Sequence, residues 1–180
     1  MKNETPTILF SGKEALEWFE FIRKNWYPLT GKVVLIPCSS KKPYHSSVTH
    51  AFFSKLWRLW RDGKIDLVIV SEPLTVVPAE FDFPEPKYPL YEYPPSFIKQ
   101  ENGIAKKERK IWRERMKIFL RRNSAEYFFI LYPYHRLILG DILENHAQGY
   151  YTTRPYIART VEKILKVILE KANQRKKTFS

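Results

Sequence analysis

Three short apolar segments constrain the fold of this chain more than any other feature of its sequence. Residues 32–37, 66–71 and 127–132 are apolar at nearly every position rather than at every second one. Strands with this pattern are usually covered on both faces, as in a parallel sheet between two layers of helices. The sequence therefore predicts an α/β fold, namely a three-layer αβα sandwich around a small parallel sheet of three or four strands.

Amphipathic segments separate these strands. Apolar residues recur at helical spacing in five segments, about 12–27, 49–62, 99–122, 137–145 and from near Pro155 onward. Residues 72–96 differ, because they hold seven of the 13 prolines and three tyrosines. We expect this stretch to be a long, ordered loop that packs through its aromatic side chains. No repeat or linker interrupts the pattern, so residues 1–180 are predicted to form a single domain.

The charge of the chain indicates the class of its partner. Its 31 lysines and arginines exceed its 19 aspartates and glutamates, so the formal net charge is +12 and the isoelectric point is near 9.7. This excess favours a polyanionic partner, most often a nucleic acid, over a basic protein whose charge only keeps it in solution. The single cysteine, the polar N-terminus and the lack of a long apolar run predict a cytoplasmic protein without membrane contact.

The loops that follow the three strands are expected to meet at one edge of the sheet, where α/β proteins usually bind ligands. These loops begin at Cys38, Glu72 and Pro133. The predicted site therefore combines residues 38–50, 72–80 and 134–135. The first loop is the most informative, because it holds the only cysteine, two lysines and two of the four histidines.

That loop carries a specific motif. The motif reads Pro37-Cys38, three residues, Lys42-Pro43-Tyr44, two residues, Ser47, two residues and His50. Its seven fixed positions resemble the signature of archaeosine synthase, an archaeal enzyme of the group related to tRNA-guanine transglycosylase. Residues 71–80 resemble a second segment of that family more loosely, and the similarity spans roughly residues 32–141.

The resemblance implies a function in tRNA modification. Members of that family act on 7-cyano-7-deazaguanine at position 15 of archaeal tRNA. They add a small amine, lysine, across its nitrile on the way to archaeosine. Full-length members also carry a transglycosylase-like region and an RNA-binding PUA domain, and this chain matches neither. We therefore expect it to bind tRNA through its own basic surface or with a partner, such as a transglycosylase or a PUA-domain protein.

A fainter resemblance concerns residues 41–45. They are similar to the first motif of uracil-DNA glycosylases, in which an acidic residue precedes Pro-Tyr-His; that fold is also a small αβα sandwich. Lys42 stands where the water-activating carboxylate of that motif would be. Glycosidic cleavage by that mechanism is therefore not expected, whereas a pocket for a flipped base is compatible with the motif.

Three residues of the motif are candidates for catalysis. As a thiolate, Cys38 would add to the nitrile carbon and give a thioimidate that an amine displaces; neighbouring lysines would lower its pKa. The alternative for Cys38 is a buried, inert thiol. Lys42 would donate a proton or contact phosphate, or it is a solvated loop lysine. His50 would act as a general acid or base, or it holds the loop through hydrogen bonds.

Further residues are candidates for substrate binding. Tyr44 would stack on a purine-like base or pack in the core, and Ser47 is a predicted helix N-cap. Glu72 and Glu80 would accept hydrogen bonds from the edge of a guanine-like base. The alternative for Glu80 is a carboxylate on the protein surface. The full set is Pro37, Pro43, Tyr44, Ser47, Glu72, Glu80 and His135.

The helix predicted over residues 99–122 carries all five candidate RNA contacts. Its basic residues outnumber its acidic ones, which favours phosphate contact over a merely solvated face. The candidates are Lys106, Lys107, Lys110, Arg113 and Lys117. The cysteine and the histidines lack the spacing of a zinc site, and a glycine-rich phosphate cradle is absent from the sequence. We therefore predict no metal and no cofactor.

The sequence leaves three functional hypotheses. The first is a tRNA-modifying enzyme that resembles archaeosine synthase and forms an amidine from the nitrile base. The second is a non-catalytic module that binds RNA or a modified base and assists a separate enzyme. The third is a base-releasing hydrolase with a fold similar to that of uracil-DNA glycosylase.

Overall fold

A computed structural model of the protein describes residues 6–152, 161–163, 165–167 and 170. Its strands are β1 Lys32–Pro37, β2 Asp66–Ser71, β3 Thr75–Pro78, β4 Glu126–Leu131 and β5 Ala147–Thr152. Its helices are α1 Lys13–Asn25, α2 Val48–Ala51, α3 Ser54–Arg61, α4 Pro95–Ile98, α5 Gly103–Arg122 and α6 Pro133–Glu144. Residues 161–163, 165–167 and 170 are also helical, whereas the predicted helix start near Pro155 lies outside the described residues.

The strands form one sheet in the order β3-β2-β1-β4-β5. The four strands β2, β1, β4 and β5 are parallel, and β3 pairs with β2 in the antiparallel direction. The predicted α/β fold with a small parallel sheet is therefore confirmed. The antiparallel strand β3 is an addition, because the sequence analysis assigned its residues to a long loop.

Helices cover both faces of this sheet. The crossovers that carry α5 and α6 run in one direction along the sheet, and the β1–β2 crossover that carries α3 runs in the other. Since parallel crossovers are right-handed, α3 lies on the face opposite α5 and α6. On the α5 face, Trp26 at the end of α1 stacks on Phe119 with ring centroids 5.4 Å apart. On the α3 face, Lys55 pairs with Glu162 at 3.8 Å.

The central strands are buried on both faces, as their apolar sequence predicts. Val33 and Leu35 on one face of β1, and Val34 and Ile36 on the other face, are each fully buried. Because β1 has a neighbouring strand on each side, its backbone groups are paired in both directions. This rigid centre fixes the positions of the loops that leave β1, β2 and β4.

The direction of chain connection reverses at β1. From β1 the chain moves to β2 on one side, and it later returns to β4 on the other side. In doubly wound sheets, the crevice at the carboxyl ends of the strands on either side of such a reversal is the usual ligand-binding position. Here that crevice lies between the residues that follow β1 and the residues that begin α6.

No helix within the described ranges combines the length and the apolar character that a bilayer crossing requires.

Candidate functional site

A buried carboxylate lies at the centre of this crevice. Glu72, the residue after β2, is only 4% exposed and accepts three side-chain hydrogen bonds. The donors are the Cys38 thiol at 3.2 Å, the Tyr134 hydroxyl at 2.8 Å and the His135 Nε2–H at 2.9 Å. The loops after β1 and β2 and the first turn of α6 therefore meet at one side chain, as the sequence analysis predicted for the strand ends.

The capping geometry of α6 fixes the proton on His135. The His135 Nδ1 lies 3.2 Å from the Tyr132 backbone nitrogen, whose N–H can only donate. Nδ1 must therefore accept, and the proton of the neutral imidazole lies on Nε2, which donates to Glu72. His135 is fully buried, so this tautomer holds the Glu72 carboxylate in place.

These donors determine the charge state of Glu72. Burial acts to raise the pKa of its carboxyl group, but His135, Cys38 and Tyr134 together outweigh burial and hold the pKa below its ordinary value of 4.5. Glu72 is therefore an anion at neutral pH. Its charge is stabilised by the three donors, among which His135 has the largest effect.

The pKa of the Cys38 thiol is raised, although the neighbouring lysines suggested that it would be lowered. Burial raises the pKa of Cys38 well above 9.0, and the adjacent Glu72 carboxylate raises it further; Lys42 lowers it only in part. The expectation of a preformed thiolate is therefore wrong. Cys38 is a protonated thiol whose S–H points at a carboxylate, an arrangement in which Glu72 can accept the proton as the sulfur attacks.

A cavity of about 1170 Å³ opens onto this cluster. Cys38, Lys42 and Glu72 contribute polar groups to its lining, together with Tyr91 and Tyr134. Cavities of this size and mixed lining are typical of sites for small molecules or for single nucleotides. Within the described residues, no group of three or more His, Cys, Asp or Glu side chains is arranged to hold a metal ion.

Lys42 lies on the wall of the cavity with its position fixed by Tyr91. Its ammonium group donates to the Tyr91 carbonyl at 3.0 Å and lies 4.0 Å from the centre of the Tyr91 ring. Burial lowers the pKa of Lys42 from its ordinary value of 10.5, although Cys38 and Glu72 act to raise it. An ammonium with a lowered pKa is a better proton donor than a solvated lysine.

Tyr44 does not have the free ring face that base stacking requires. His50 stacks on the ring at 5.7 Å and Tyr88 at 5.5 Å, and the residue is fully buried. Its hydroxyl bonds to Ser71 Oγ at 3.1 Å and also to the Tyr91 hydroxyl. The predicted stacking on a substrate base is therefore corrected to core packing, the alternative that the sequence left open.

His50 holds the loop and is not available as an acid or base. Its Nδ1 accepts from the indole N–H of Trp57 at 3.3 Å, so its proton lies on Nε2, which donates to the Pro37 carbonyl at 2.9 Å. Both ring nitrogens are thus occupied, and the side chain is 1% exposed. The catalytic role suggested by the motif is corrected to a structural one.

This geometry gives a prediction about stability. Burial lowers the pKa of His50 from 6.5 to about 4. Between these values the unfolded chain binds a proton that the folded chain does not bind, so stability is lost as the pH falls from 6.5 to 4. The difference between the pKa values of His50 in the unfolded and the folded chain corresponds to about 3 kcal/mol of unfolding free energy. Urea unfolding of the wild type and of His50→Gln at pH 7 and pH 4.5 should show a smaller loss in the variant. An equal loss in both proteins would contradict the assignment.

The remaining motif residues support the loop rather than the cavity. Ser47 is the N-cap of α2, as predicted, and its hydroxyl accepts from the His50 backbone N–H at 3.1 Å. Pro37 provides the carbonyl that His50 contacts, and Pro43 precedes the buried Tyr44. None of these three residues lines the cavity, so their predicted role in substrate binding is indirect.

Glu80 lies away from the site. Because β3 runs antiparallel to β2, with Val68 opposite Pro78, it carries Glu80 back towards the amino end of β2. There the Glu80 carboxylate accepts from the Trp26 indole N–H at 2.6 Å. The expectation that Glu80 contacts a substrate edge is therefore wrong, and the reason is the unpredicted antiparallel strand.

The basic residues of α5 are divided between solvent and ion pairs. Lys106, Lys107 and Lys110 are exposed, and Lys106 also pairs with Glu101 at 3.8 Å. Arg113 donates to the Ile138 carbonyl and to Asp141, and Lys117 pairs with Glu114 at 3.0 Å. The three exposed lysines are therefore the most accessible of the predicted RNA contacts.

Sequence reasoning missed two features of the site. Asp82 anchors the 37–50 loop, because its buried carboxylate accepts from the backbone N–H groups of Tyr44 and His45, each at 2.8 Å, and from the Tyr88 hydroxyl at 2.6 Å. Lys99 lines the cavity with its ammonium 4.5 Å from the Tyr134 ring centre. No local motif marks either residue, although Asp82 lies within the stretch 72–96 that was predicted to be ordered and Lys99 follows it closely.

Comparison with known proteins supports the fold and gives no named function. Residues 16–166 match a family model described as "Domain of unknown function (DUF5591)". The crystal structure of AF0587, described as a protein of unknown function, is similar with a TM-score of 0.58 and 20% sequence identity. The similarity covers 84% of this chain and 49% of that one, so the chain spans about half the length of this solved relative. No curated protein matches the sequence.

Proposed function

This chain belongs to the family described as a domain of unknown function, DUF5591, and we propose that it is a tRNA-modifying domain. In this proposal it resembles archaeosine synthase and adds an amine to the nitrile of 7-cyano-7-deazaguanine at position 15 of archaeal tRNA. The main support is the contact of 3.2 Å between the Cys38 thiol and the Glu72 carboxylate, at a cavity large enough for a modified base. A thiol paired with a base is an arrangement suited to covalent catalysis, here by addition of the sulfur to the nitrile carbon.

The first half of the reaction forms a covalent intermediate. Glu72 accepts the proton of Cys38 while the sulfur bonds to the nitrile carbon. The nitrile nitrogen gains a proton from the Lys42 ammonium, and the product is a thioimidate. Because the pKa of Cys38 is raised and that of Glu72 is lowered, proton transfer is favourable only as the carbon–sulfur bond forms.

The second half releases the amidine. A neutral amine donor adds to the thioimidate carbon and gives up one proton to the now neutral Lys42. The carbon–sulfur bond breaks, and the Cys38 sulfur takes its proton back from Glu72. The nitrile and the amine have then combined into an amidine, and all three side chains have returned to their starting states.

The basic surface would supply the contacts with tRNA. The exposed Lys106, Lys107 and Lys110 lie on α5, and the chain carries a net charge of +12. Such a charge favours binding to the phosphate backbone without reading the base sequence. A transglycosylase or a PUA-domain protein is the partner that we propose for further tRNA binding.

Purified protein, tRNA that carries the nitrile base, and lysine together test the proposal. We expect nucleoside mass spectrometry to detect the lysine adduct of the base, and without lysine to detect tRNA bound to protein through a thioimidate. Absence of adduct with the protein alone and with candidate partners would contradict the proposal.

A second candidate is a non-catalytic module that binds the modified base and assists a separate enzyme. The raised pKa of Cys38 favours it, because an unreactive thiol would have the same property. Binding of nitrile-bearing tRNA that is unchanged in Cys38→Ala, without turnover in the wild type, would select this alternative.

The pH dependence of the reaction gives a further prediction. If the Lys42 ammonium is the proton donor, activity is present below its pKa and is lost as the pH rises through it. Because burial lowers this pKa, the alkaline limb of kcat/KM should fall below pH 10.5. Lys42→Arg should lower activity across the whole range and remove this limb, because arginine stays protonated and cannot give its proton to the nitrile nitrogen. An unchanged limb in Lys42→Arg would exclude Lys42 as its source.

A further inference from the structure

A second, smaller cavity adjoins the first. It has a volume of about 400 Å³, and Lys99, Tyr134 and Leu137 line both cavities. Tyr134 forms the shared wall, since its hydroxyl donates to Glu72 in the large cavity while Lys99 lies over its ring. The two cavities therefore lie side by side, close enough for one nucleotide to contact the lining of both.

Cations dominate the lining of the small cavity. Lys99, Arg109 and Arg113 contribute three positive charges, and Glu101 contributes one negative charge. Lys99 is exposed and makes no ion pair with any other described residue. The surplus of positive charge favours an anionic group at this position.

Main-chain contacts hold both arginines in place before any ligand arrives. Arg109 donates to the carbonyls of Ile98 at 2.8 Å and Gln100 at 2.6 Å. Arg113 donates to the carbonyl of Ile138 and to Asp141. Their side-chain entropy is therefore already lost, and the cost of ordering them around an anion is small. Their acidic partners, Glu101 and Asp141, are exposed and form only weak surface pairs.

We propose that the small cavity binds the phosphate of the nucleotide whose base occupies the large cavity. Phosphate is the anion that matches preordered arginines and a lysine, because it accepts several charge-assisted hydrogen bonds at once. The site then recognises a nucleotide rather than a base or a nucleoside. This inference rests on the proposed function, which supplies the identity of the base.

Binding of four probes tests the inference. The probes are 7-cyano-7-deazaguanosine, its 5′-monophosphate, its 3′-monophosphate and inorganic phosphate, each titrated against the full chain by calorimetry. We expect one monophosphate to bind about tenfold or more tightly than the nucleoside, and inorganic phosphate to bind more weakly than that monophosphate. Lys99→Ala should remove most of this gain and Lys99→Arg should retain it. Lys64→Ala, which changes an exposed lysine outside both cavities, should leave it unchanged.

The outcomes separate this inference from the proposed function. If the nucleoside binds and neither monophosphate binds more tightly, the phosphate site is refuted while the base pocket stands. If the gain survives Lys99→Ala, or disappears equally in Lys64→Ala, the phosphate is bound elsewhere and the inference also fails. If neither the nucleoside nor a monophosphate binds, the base pocket of the proposed function fails together with the inference.

Discussion

Replacement of Glu72 by glutamine is expected to lower amidine formation by about 10²–10⁴-fold, the range for loss of a general base. The amide can still accept from Tyr134 and His135, but it cannot take the proton of the Cys38 thiol. The measurement is single-turnover adduct formation on nitrile-bearing tRNA, with binding of the same tRNA followed in parallel. We expect binding to change little, because the amide keeps the size of the side chain and its contacts with Tyr134 and His135.

Glu80→Gln is the matched control for this experiment. It also replaces a largely buried carboxylate by an amide, but Glu80 contacts Trp26 and does not line the cavity. Its adduct rate should stay near that of the wild type. A Glu72→Gln rate above one tenth of the wild-type rate, or an equal fall in Glu80→Gln, would remove Glu72 from the mechanism.

Cys38→Ala separates the covalent step from base catalysis. Without the sulfur no thioimidate forms, so the protein–tRNA species trapped in the absence of amine should disappear entirely. Cys38→Ala also leaves Glu72 with two of its three side-chain donors, which keeps the carboxylate anchored. A trapped species that persists in this variant would mean that the nucleophile lies elsewhere.

Replacement of Asp82 by alanine is expected to lower the free energy of unfolding by about 4 kcal/mol or more. Asp82 is fully buried and accepts from the backbone N–H groups of Tyr44 and His45, from the His45 ring and from the Tyr88 hydroxyl. Alanine leaves these donors without an acceptor. Each buried donor that is left without a hydrogen-bond partner costs about 1–3 kcal/mol. Urea unfolding followed by tryptophan fluorescence measures the loss.

Asp82→Ala should weaken ligand binding at the site as well as lower the stability of the fold. Asp82 ties the 37–50 loop to the loop after β3, so its removal should loosen Lys42 and weaken binding of the nucleotide probes. Asp62→Ala, on the exposed end of α3, is the control and should change stability by less than about 0.5 kcal/mol. If Asp82→Ala lost no more than this control, Asp82 would not be the anchor of the loop.

The sequence predicted the site where proximity follows from the topology of the sheet. Cys38, Glu72 and His135 each follow a strand that is apolar at consecutive positions, and consecutive apolar residues indicate parallel strands. Since the carboxyl ends of parallel strands lie at one edge, the meeting of these three residues could be predicted without coordinates. The same argument failed for Glu80, because Glu80 follows the antiparallel strand β3 and not a parallel one. That strand starts at Thr75 with φ of 71°, a conformation that is rare for a β-branched residue.

The amino-acid sequence by itself determined which segments are buried and in what order they occur. A strand that is buried on both faces is apolar at consecutive positions, so its burial can be predicted from a short stretch of chain. The α/β class, the helices and the neighbouring strand ends follow from such stretches. The charge of the chain is likewise a sum over residues and does not depend on the fold.

Only the tertiary structure decided what each side chain of the motif does. Tyr44 and His50 belong to the same motif as Lys42, yet they stack in the core while Lys42 lines the cavity. The protonation of Cys38 likewise depends on Glu72, which is 34 residues away in the sequence. The physical reason is that hydrogen-bond partners and burial are set by contacts distant in the chain, and these contacts fix pKa values and accessibility.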